Sequence, residues 1–381
     1  RSPATSTTEP ASSAMPVSVL VLNVGSSSLK AALLDVDSGA APQTARALPQ
    51  LKRLWDGQVS LPGQEALVER LQHWLEPALE PWWPQVACVG HRVVHGGERF
   101  RDPTRLTATT LQELVALNPL APLHNPPALA AIHWLQRHRP EVPQWACFDT
   151  AFHADLAPEA YSYALPAAWR MGGCRRYGFH GLSHQHLAEA ATRQWQEQGG
   201  SGQPRLISCH LGAGCSLAAV RDACSIDTTM GFTPLEGLVM ARRSGSIDPG
   251  LLLHLQRQGL SLEELEQGLN QASGLRGLSG LSGDWLELKN AAGIGHPGAQ
   301  LALAVFRHRL LAGIGAMAAS LGGVDVIGLT GGIGSHDKEL LADLQQALHW
   351  LGPLQWLQVD ADEEGMIARQ IQQAITWNER S

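Results

Sequence analysis

Short apolar runs alternate along the chain with longer stretches in which apolar residues recur every three or four positions. The runs at residues 17–24, 86–89, 205–209 and 324–329 predict buried strands. Helical periods occur at residues 65–79, 111–117, 127–137, 183–198, 299–321 and 363–377. In the first of these, the residues predicted to share the buried face are Leu67, Val68, Leu71, Trp74 and Leu75. Strands that alternate with helices in this way are typical of an α/β protein with a mixed sheet.

Three of the predicted strands end in a turn of glycine and other small residues. These turns lie at residues 25–30, 210–217 and 330–334. The first two lead into similar apolar strands that end in Asp35 and Asp222, so each predicts a β-hairpin. The two hairpins lie about 190 residues apart, which favours an internal duplication with one hairpin opening each half. Coincidence between two glycine-rich turns is the alternative.

Length and charge limit the class of protein. The 381 residues exceed one simple core and predict two domains. The 28 basic and 35 acidic residues give a net charge of −7 without a basic block, which argues against a nucleic-acid partner or a polybasic membrane anchor. No apolar stretch reaches the roughly 20 residues of a membrane span. Any phosphate would therefore be bound by backbone amides and a few placed cations.

The cysteine pattern bears on the cellular compartment of the protein. The six cysteines include no C-x-x-C pair, which indicates reduced thiols and a cytoplasmic protein.

Residues 1–15 are rich in Ser, Thr, Pro and Ala and are expected to form a disordered tail. Because a predicted strand follows Met15 at once, we interpret Met15 as the original start.

Glycine turns after strands are candidate phosphate sites, because successive backbone N–H groups can converge on an anion. Neither a Walker A motif nor a Rossmann fingerprint occurs in the sequence. Three such turns favour a nucleotide held between two lobes. In the first turn, phosphate or a hydrated metal could be bound by Asn23, Ser26, Ser28 and Lys30, although the same residues could simply cap the turn.

Charged and histidine side chains near apolar strands are further candidates. Arg92 follows an apolar strand, where its planar guanidinium suits a carboxylate or phosphoryl oxygen or forms a structural ion pair. Asp149 ends a short apolar segment, and His180 lies in a loop dense in glycine and aromatic residues. Arg243 follows a long stretch of turn-forming residues. The acidic run at residues 360–364 either complements a helix N-terminus or carries magnesium.

Nine segments occur in a fixed order: NVGSSSLK, GHRVVHGGE, APLHNPP, FDTAFH, YGFHGLSH, HLGAGCS, DTTMGFTPLEGL, RSGSIDP and TGGIG. Together they resemble the acetokinase family of the acetate and sugar kinase, Hsp70 and actin superfamily. The resemblance covers nearly the whole chain from Met15 onward, and nine matched segments are far more specific than any one alone.

The resemblance implies two duplicated ribonuclease-H-like domains with mixed sheets and an active-site cleft between them. We expect the N-terminal domain at residues 16–165, with the C-terminal helix at residues 365–381 packed on it. The nucleotide-binding C-terminal domain is expected at residues 166–364. The family resemblance also implies a homodimer.

The same resemblance implies a kinase that reversibly transfers the ATP γ-phosphoryl group to acetate, directly and in line, giving acetyl phosphate and ADP. ATP or ADP is the co-substrate, and the implied metal is Mg²⁺ or Mn²⁺, at Asn23 and Glu363. The implied catalytic residues are Arg92, Asp149, His180 and Arg243. Arg92 also contacts the substrate, whose methyl group is expected in a pocket of Val94, Leu123, Phe179 and Pro234.

The implied nucleotide contacts fall in four segments. They are Ser26, Ser28 and Lys30; His210, Leu211, Gly212, Ala213 and Gly214; Asp284, Trp285 and Leu286; and Gly331, Gly332, Ile333, Gly334 and Ser335.

The departures from the family pattern cluster among these nucleotide contacts. Ala213 stands where the family usually has Asn, Leu286 where it has Arg, and Ser335 and His336 where it has Glu and Asn. We therefore expect weaker or altered nucleotide selection, with Trp285 stacking on the base in place of the missing arginine.

Several alternatives remain open on the sequence. One is a propionate or butyrate kinase of the same family, and another is an acetokinase with a different phosphoryl donor. A nucleotide-driven binding module resembling Hsp70 or actin would not need the paired arginines, and a catalytically silent descendant would not need to retain Asp149 and His180.

Overall fold

A computed structural model describes residues 18–25, 28–36, 51–63 and 66–378, apart from the side chains of residues 377 and 378. The predicted tail at residues 1–15 and the candidate phosphate ligand Ser26 lie outside the described residues. Within these ranges the chain forms two mixed sheets flanked by helices, which confirms the predicted α/β class.

The strands of the described ranges are β1 (Ser18–Val24), β2 (Ser28–Asp35), β3 (Lys52–Ser60), β4 (Val86–Val93), β5 (Thr104–Arg105), β6 (Gln144–Phe148), β7 (Leu206–Leu211), β8 (Cys215–Arg221), β9 (Cys224–Thr228), β10 (Val326–Thr330) and β11 (Gln355–Gln358). Sheet 1 has the order β3-β2-β1-β4-β6-β5, and sheet 2 has the order β11-β10-β7-β8-β9.

The two sheets repeat one topology. In sheet 1 the antiparallel hairpin β1–β2 is followed by β4, parallel to β1, and by β6, parallel to β4. In sheet 2 the antiparallel hairpin β7–β8 is followed by β10, parallel to β7, and by β11, parallel to β10. β3 and β9 each pair antiparallel with the second strand of their hairpin. The order and direction of five strands therefore recur, which confirms the predicted duplication and both predicted hairpins.

The helices of the described ranges are α1 (Ala66–Arg70), α2 (Glu76–Leu79), α3 (Ala108–Val115), α4 (Asn125–His138), α5 (Pro158–Tyr161), α6 (Ala167–Arg170), α7 (Gly181–Glu197), α8 (Pro249–Arg257), α9 (Leu262–Gln267), α10 (Gly274–Ser279), α11 (Trp285–Gly293), α12 (Pro297–Leu321), α13 (Gly331–Gly334), α14 (Lys338–Ala347) and α15 (Glu363–Asn378). A π-helical turn, Leu71–Leu75, joins α1 to α2.

Helix positions follow the predicted periods, with local differences. α3 begins before the predicted residue 111, because Thr107 and Thr110 form a capping box at its start. In the first predicted helix, Val68 is 43% exposed, so its assignment to the buried face was wrong. The buried stripe instead consists of Leu67, Leu71, Leu75 and Leu79, and Val68 lies beside it.

Strand alternation gives sheet 1 two buried faces. Val19 and Val21 pack in a core with Met366 and Ile367 of α15. The intervening Leu20 belongs to a second core, which is formed with α1 and α4. The C-terminal helix therefore covers one face of the N-terminal sheet.

Sheet 2 is covered in the same way. Ile207 packs in the core that contains α12, whereas Leu206 packs with Ala191 of α7 on the other face. α7 and α15 lie side by side, and Gln370 Nε2 donates to Gln185 Oε1 at 2.7 Å. The helix that covers sheet 1 therefore packs against the helix that covers sheet 2.

α12 is the one helix in the described ranges long and apolar enough, by length and composition alone, to cross a membrane. Its buried residues, Ala299, Ala302, Phe306, Leu310, Ile314, Met317, Ala318 and Leu321, form a stripe at helical spacing that packs on sheet 2. Arg307 and Arg309 interrupt its apolar sequence. α12 therefore packs on sheet 2 through one face, and the expected absence of a membrane partner stays a prediction.

Candidate active site

Arg92 lies at the centre of a polar cluster at the carboxyl ends of β1, β4 and β6. These strands are parallel neighbours, so their ends place Asn23, Arg92 and Asp149 at one edge of sheet 1. Arg92 Nε donates to the Asp149 oxygens at 2.9 and 3.1 Å, and Nη2 donates to Oδ2 at 2.5 Å. Nη1 donates to Asn23 Oδ1 at 3.0 Å. Asp149 therefore fixes the plane and direction of the guanidinium group.

The first turn of α15 brings acidic side chains to this cluster. Asn23 Nδ2 donates to Glu363 Oε2 and to Glu364 Oε1, each at 2.9 Å. Glu363 Oε2 lies 3.7 Å from Arg92 Nη1. Sequence reasoning identified Glu363 through the resemblance but missed Glu364, whose only signal was its place in the same acidic run.

Charge and burial oppose each other in this cluster. Burial raises the pKa of Asp149, and Arg92 opposes that shift. Burial also raises the pKa of Glu363, but Arg92, His210, the hydrogen bond from Asn23 and the charge of Lys30 together outweigh it and lower this pKa below its usual value. Burial disfavours the charge on Arg92, yet Asp149 and Glu363 outweigh it and raise the guanidinium pKa. At neutral pH the cluster thus holds a permanent cation beside an ionised Glu363.

The facing part of sheet 2 carries neutral histidines. His180 precedes α7 in the left-handed region, with φ of 57°, and its ring stacks on His210 with centroids 4.2 Å apart. His180 Nδ1 lies 2.9 Å from Ser216 Oγ, and His210 Nδ1 lies 2.7 Å from Ser183 Oγ. Burial lowers the pKa of His180 well below its usual value and that of His210 to about 4. Both imidazoles are therefore neutral near pH 7 and can act as hydrogen-bond donors.

Arg243 joins His180 at the second glycine turn. A Cβ atom at Gly214 would lie 3.1 Å from His180 Nε2 and 3.8 Å from Arg243 Nη1, so the backbone comes close to both groups. Arg243 Nη1 donates to the Pro234 carbonyl at 3.0 Å. Burial lowers the pKa of His180 first, and both Arg92 and Arg243 lower it further. The structure therefore brings together the two arginines and the histidine that the sequence singled out.

His124 also lies near both arginines. Burial lowers its pKa to about 4, and the positive charges of Arg243 and Arg92 contribute to the shift. Sequence reasoning did not select His124, although it stands in the matched segment APLHNPP, directly ahead of α4. A neutral imidazole at this position can hydrogen-bond an anion without adding a titrating charge.

The four predicted pocket residues differ in exposure. Val94 is 6% exposed and Phe179 is 1% exposed, and both pack into the core of sheet 2. Pro234 is half-buried, and its carbonyl accepts a hydrogen bond from Arg243. Leu123 is 40% exposed. Val94 and Phe179 are therefore the buried members of this set, and Leu123 is its most exposed member.

The second and third glycine turns lie against each other. Gly331 has φ of +83°, and a Cβ atom there would lie 2.5 Å from the Leu211 carbonyl oxygen. A Cβ atom at Gly212 would lie 3.7 Å from Gly332 N. The side chains of Leu211 and Ile333 are buried in the core of sheet 2, so these two residues can offer a ligand only their backbone.

The remaining predicted phosphate ligands differ in their exposure and in their contacts. Ala213 is exposed in the second turn, and Gly334 is buried at the end of the third. Lys30 is exposed on β2. Burial raises the pKa of Glu363 and lowers that of His210, and the charge of Lys30 makes a smaller contribution that lowers both. Ser28 accepts through its carbonyl from Gly25 N at 2.8 Å, which closes the first turn.

The start of α11 is held mainly by the protein itself. Asp284 caps α11 by accepting from Glu287 N at 2.9 Å. Trp285 Nε1 donates to Asp337 Oδ2 at 2.6 Å, and its ring lies 4.8 Å from that of Phe306. The stacking of Trp285 on a nucleotide base stays a prediction, but one polar atom of the indole is already engaged.

The other departures from the family pattern differ in their surroundings. Leu286 is 69% exposed and therefore open to solvent on the first turn of α11. Ser335 Oγ donates to the Val359 carbonyl at 2.8 Å, which ties the third glycine turn to the end of β11.

Two duplicated α/β halves with glycine turns and paired arginines at their facing edges have the architecture of a phosphotransferase. A family model described as "Acetokinase family" matches residues 18–379, and the chain belongs to that family. It is 45% identical over 363 residues to an acetate kinase of Gloeobacter violaceus, covering 88% of each chain. It is also 45% identical over 347 residues to an acetate kinase of Deinococcus radiodurans, covering 87% of this chain and 86% of the relative.

Solved structures give the same family. A propionate kinase of Francisella tularensis superposes with a TM-score of 0.80 at 32% identity, covering 93% of this chain and 98% of its own. An acetate kinase of Porphyromonas gingivalis superposes with a TM-score of 0.79 at 31% identity, covering 94% and 100%. The predicted family and the duplicated ribonuclease-H-like fold are confirmed.

Proposed function

We propose that the protein is an acetate kinase that reversibly transfers the ATP γ-phosphoryl group to acetate, giving acetyl phosphate and ADP by direct in-line transfer. The observation that carries this proposal is the convergence of Arg243 and His180 at the Gly214 turn, where the charge of Arg92 also acts on His180.

The chemistry suits these side chains. Acetate is already a nucleophile when ionised, so the site needs no strong general base. One carboxylate oxygen forms a bond to the γ-phosphorus while the bond to the ADP oxygen breaks, and negative charge spreads over the oxygens in transit. Two guanidinium groups and a neutral imidazole donor stabilise this charge and bring two anions together. No phosphoenzyme is required.

Each residue then has a distinct part. Arg92, fixed by Asp149, binds the acetate carboxylate and the phosphoryl group in transit. Arg243 binds the same group from the second half, and His180 donates a hydrogen bond to it. The methyl group lies in the pocket of Val94, Leu123, Phe179 and Pro234.

The nucleotide is proposed to bind on the second half, over the two packed glycine turns and the start of α11. We place the domain boundaries at residues 16–165 and 166–364, with the C-terminal helix belonging to the first domain. Packing of α15 on sheet 1 supports this division.

The proposed Mg²⁺ or Mn²⁺ would be held at Asn23 and Glu363. No group of three or more His, Cys, Asp and Glu side chains in the described ranges is arranged to hold a metal. Magnesium in kinases nevertheless needs only one or two protein ligands besides phosphate and water. Glu363 is ionised and uses only Oε2 for Asn23, so the donor set fits. When bound, the metal would neutralise phosphate charge.

Hydroxamate trapping tests the proposal directly. The protein with acetate, ATP and Mg²⁺ should form acetyl phosphate, which hydroxylamine converts to a coloured hydroxamate. The matched control is Arg307→Ala, which removes an exposed ion pair with Asp343 on the outside of sheet 2 and should leave activity unchanged. Absence of hydroxamate with the wild-type protein would refute the proposed function.

A propionate kinase is the second candidate, because the superposed Francisella tularensis protein carries that name. A methylene changes selectivity by only about 1 to 3 kcal/mol. The ratio of kcat/KM for acetate and propionate therefore decides between them, and we expect acetate to be preferred.

The donor is also open to test. Since Ala213, Leu286 and Ser335 differ from the usual family residues, we propose weaker or altered nucleotide selection. Titration of ATP, GTP and pyrophosphate as donors should show a shallow preference, and a tight, ordinary preference for ATP would contradict this.

We further propose a cytoplasmic homodimer. Exposed apolar residues on the second half, among them Leu253, Leu262, Leu301 and Ile294, support an interface there. Sedimentation at several concentrations would test it, and a monomer throughout would contradict it.

A further inference from the structure

A buried row of alternating serine and histidine side chains runs from the interior of sheet 2 to His180. Ser208 Oγ lies 2.7 Å from His184 Nδ1, and His184 Nε2 lies 2.7 Å from Ser216 Oγ. Ser216 Oγ in turn lies 2.9 Å from His180 Nδ1. Ser208, His184 and Ser216 have no exposed surface. The two inner contacts of the row are therefore sheltered from water, and the contact to His180 is partly buried.

The strand register produces this row. Ser208 and His210 lie two residues apart on β7, and Ser216 of β8 pairs directly with His210, so all three face α7. His180 and His184 lie four residues apart at the start of α7 and present their rings to the same surface.

Counting protons shows that the row can run in only two directions. Each hydroxyl and each neutral imidazole carries one proton, and burial lowers the pKa of His184 and His180 well below the usual value. Ser216 Oγ contacts two ring nitrogens and can donate to only one of them. If it donates to His180 Nδ1, the ring proton of His180 lies on Nε2. If it donates to His184, that proton lies on Nδ1.

The buried end of the row selects between the directions. Within the described residues, Ser208 Oγ hydrogen-bonds only His184. If His184 Nδ1 donated to Ser208, the Ser208 proton would be left buried without an acceptor, which is unfavourable. Ser208 therefore donates to His184 Nδ1, His184 Nε2–H donates to Ser216, and Ser216 donates to His180 Nδ1.

We propose that Ser208, His184 and Ser216 form a one-way hydrogen-bond chain that holds His180 as the tautomer with its proton on Nε2. That nitrogen faces the Gly214 turn and Arg243, so His180 presents an N–H donor to the phosphoryl group in transit. Ser216 and His184 are positioning residues for this donor. Its role in phosphoryl transfer depends on the proposed function, whereas the tautomer itself does not.

The test is the ring-nitrogen NMR spectrum of the full chain labelled with ¹⁵N-histidine, recorded without substrates. The His180 signals are assigned by their loss in His180→Asn. We expect the proton on Nε2 in the wild-type protein, and a mixture or the Nδ1–H tautomer in Ser216→Ala. Ser216→Thr keeps the hydroxyl and should restore the wild-type tautomer.

Ser225→Ala is the matched control. It removes a buried serine 2.7 Å from the Nδ1 atom of another histidine, His153, and should leave the His180 tautomer unchanged. Ser208→Ala should give mixed tautomers at His180 although Ser208 does not contact that ring, and it keeps the test decisive if Ser216→Ala does not fold.

Turnover supplies the second readout. Ser216→Ala should lower kcat roughly tenfold, less than the roughly hundredfold expected when a whole oxyanion donor is removed, with KM for acetate and ATP within about twofold. A proton on Nδ1 in the wild-type protein, or an unchanged tautomer in Ser216→Ala, would overturn the chain. The expected tautomers without any hydroxamate would overturn the proposed function and leave the chain intact.

Discussion

The two hairpins place different chemistry at equivalent positions. Asn23 and His210 each stand two residues before the glycine that opens the turn, near the end of β1 and β7. Across the hairpin, Asn23 pairs with Lys30, whereas His210 pairs with Ser216. Asn23 hydrogen-bonds the charged side chains of Arg92 and Glu363, whereas His210 contacts the neutral Ser183 and His180.

The two halves share one topology but have different polar side chains at equivalent positions. The topology makes the ends of β1 and β7 equivalent and does not decide which polar residues occupy them. In the first half, Asn23 joins Arg92 to Glu363, which suits a metal and a carboxylate. In the second half, His180 and His210 are held neutral by burial. They can donate hydrogen bonds without repelling two arginines.

The largest effect is expected from removing the cation of the first half. Arg92→Ala should lower transition-state stabilisation by on the order of 3 to 5 kcal/mol, measured as kcat/KM in the hydroxamate assay. It should also lower the free energy of unfolding by about 3 to 5 kcal/mol, because Asp149 is left buried without its partner. Arg307→Ala, at an exposed pair, should change neither by more than about 1 kcal/mol. Near-normal turnover of Arg92→Ala would show that its assigned role is wrong.

The second half should separate activity from stability. Arg243→Ala is expected to cost a similar ~3 to 5 kcal/mol in catalysis. Within the described ranges Arg243 forms no ion pair and donates to the Pro234 carbonyl, so no buried acid loses its partner. Its unfolding free energy, measured by denaturant titration, should change by about 1 kcal/mol or less. A large stability loss with intact turnover would reverse the proposed roles of the two arginines.

Acid should destabilise the protein through its buried neutral histidines. Burial, aided by Arg176, lowers the pKa of His153 to about 4 despite its hydrogen bond to the Phe179 carbonyl. The unfolded chain binds a proton near pH 6.5 and the folded chain does not, so this stability is complete above pH ~6.5 and is lost as the pH falls toward 4.

The contribution of His153 is on the order of 3 kcal/mol. Unfolding free energy measured between pH 7 and 5 should therefore fall less steeply in His153→Gln than in the wild-type protein. Equal slopes would show that His153 does not cause the loss.

The smallest effect is expected in the proposed substrate pocket, whose predicted residues come from both halves. Val94→Ala shortens a buried side chain and so enlarges the proposed pocket. It should shift the propionate-to-acetate ratio of kcat/KM by about 1 to 3 kcal/mol toward propionate. Leu123→Ala should shift it less, because Leu123 is already 40% exposed. An equal shift in both variants would contradict this, because it would mean that the methyl group contacts Leu123 as closely as Val94.

Much of the fold could be predicted from local sequence signals. Strand–glycine–strand patterns identified both hairpins, and helical periods located α7, α12 and α15. The exposure of Val68 was missed, because periodicity gives the width of an apolar stripe only approximately. The role of residues outside regular patterns, such as His124, depends on which segments meet in space.

The candidate site was predictable mainly through family resemblance. Arg92 and Arg243 are 151 positions apart by their numbers, and no local pattern says that they meet. Ser216 and His184 were not selected, because their pairing depends on the β7–β8 register and on the rotation of α7. The sequence also did not show that Trp285 bonds Asp337.

A double-mutant cycle between Arg92 and Arg243 tests most directly the claim that the two halves act on one phosphoryl group. The four proteins are compared by kcat/KM for acetyl phosphate formation at saturating ATP. If both arginines act on the same group in transit, the double variant should be little worse than the poorer single variant. Additive losses in the double variant would contradict the account, because they would mean that the two guanidinium groups act independently.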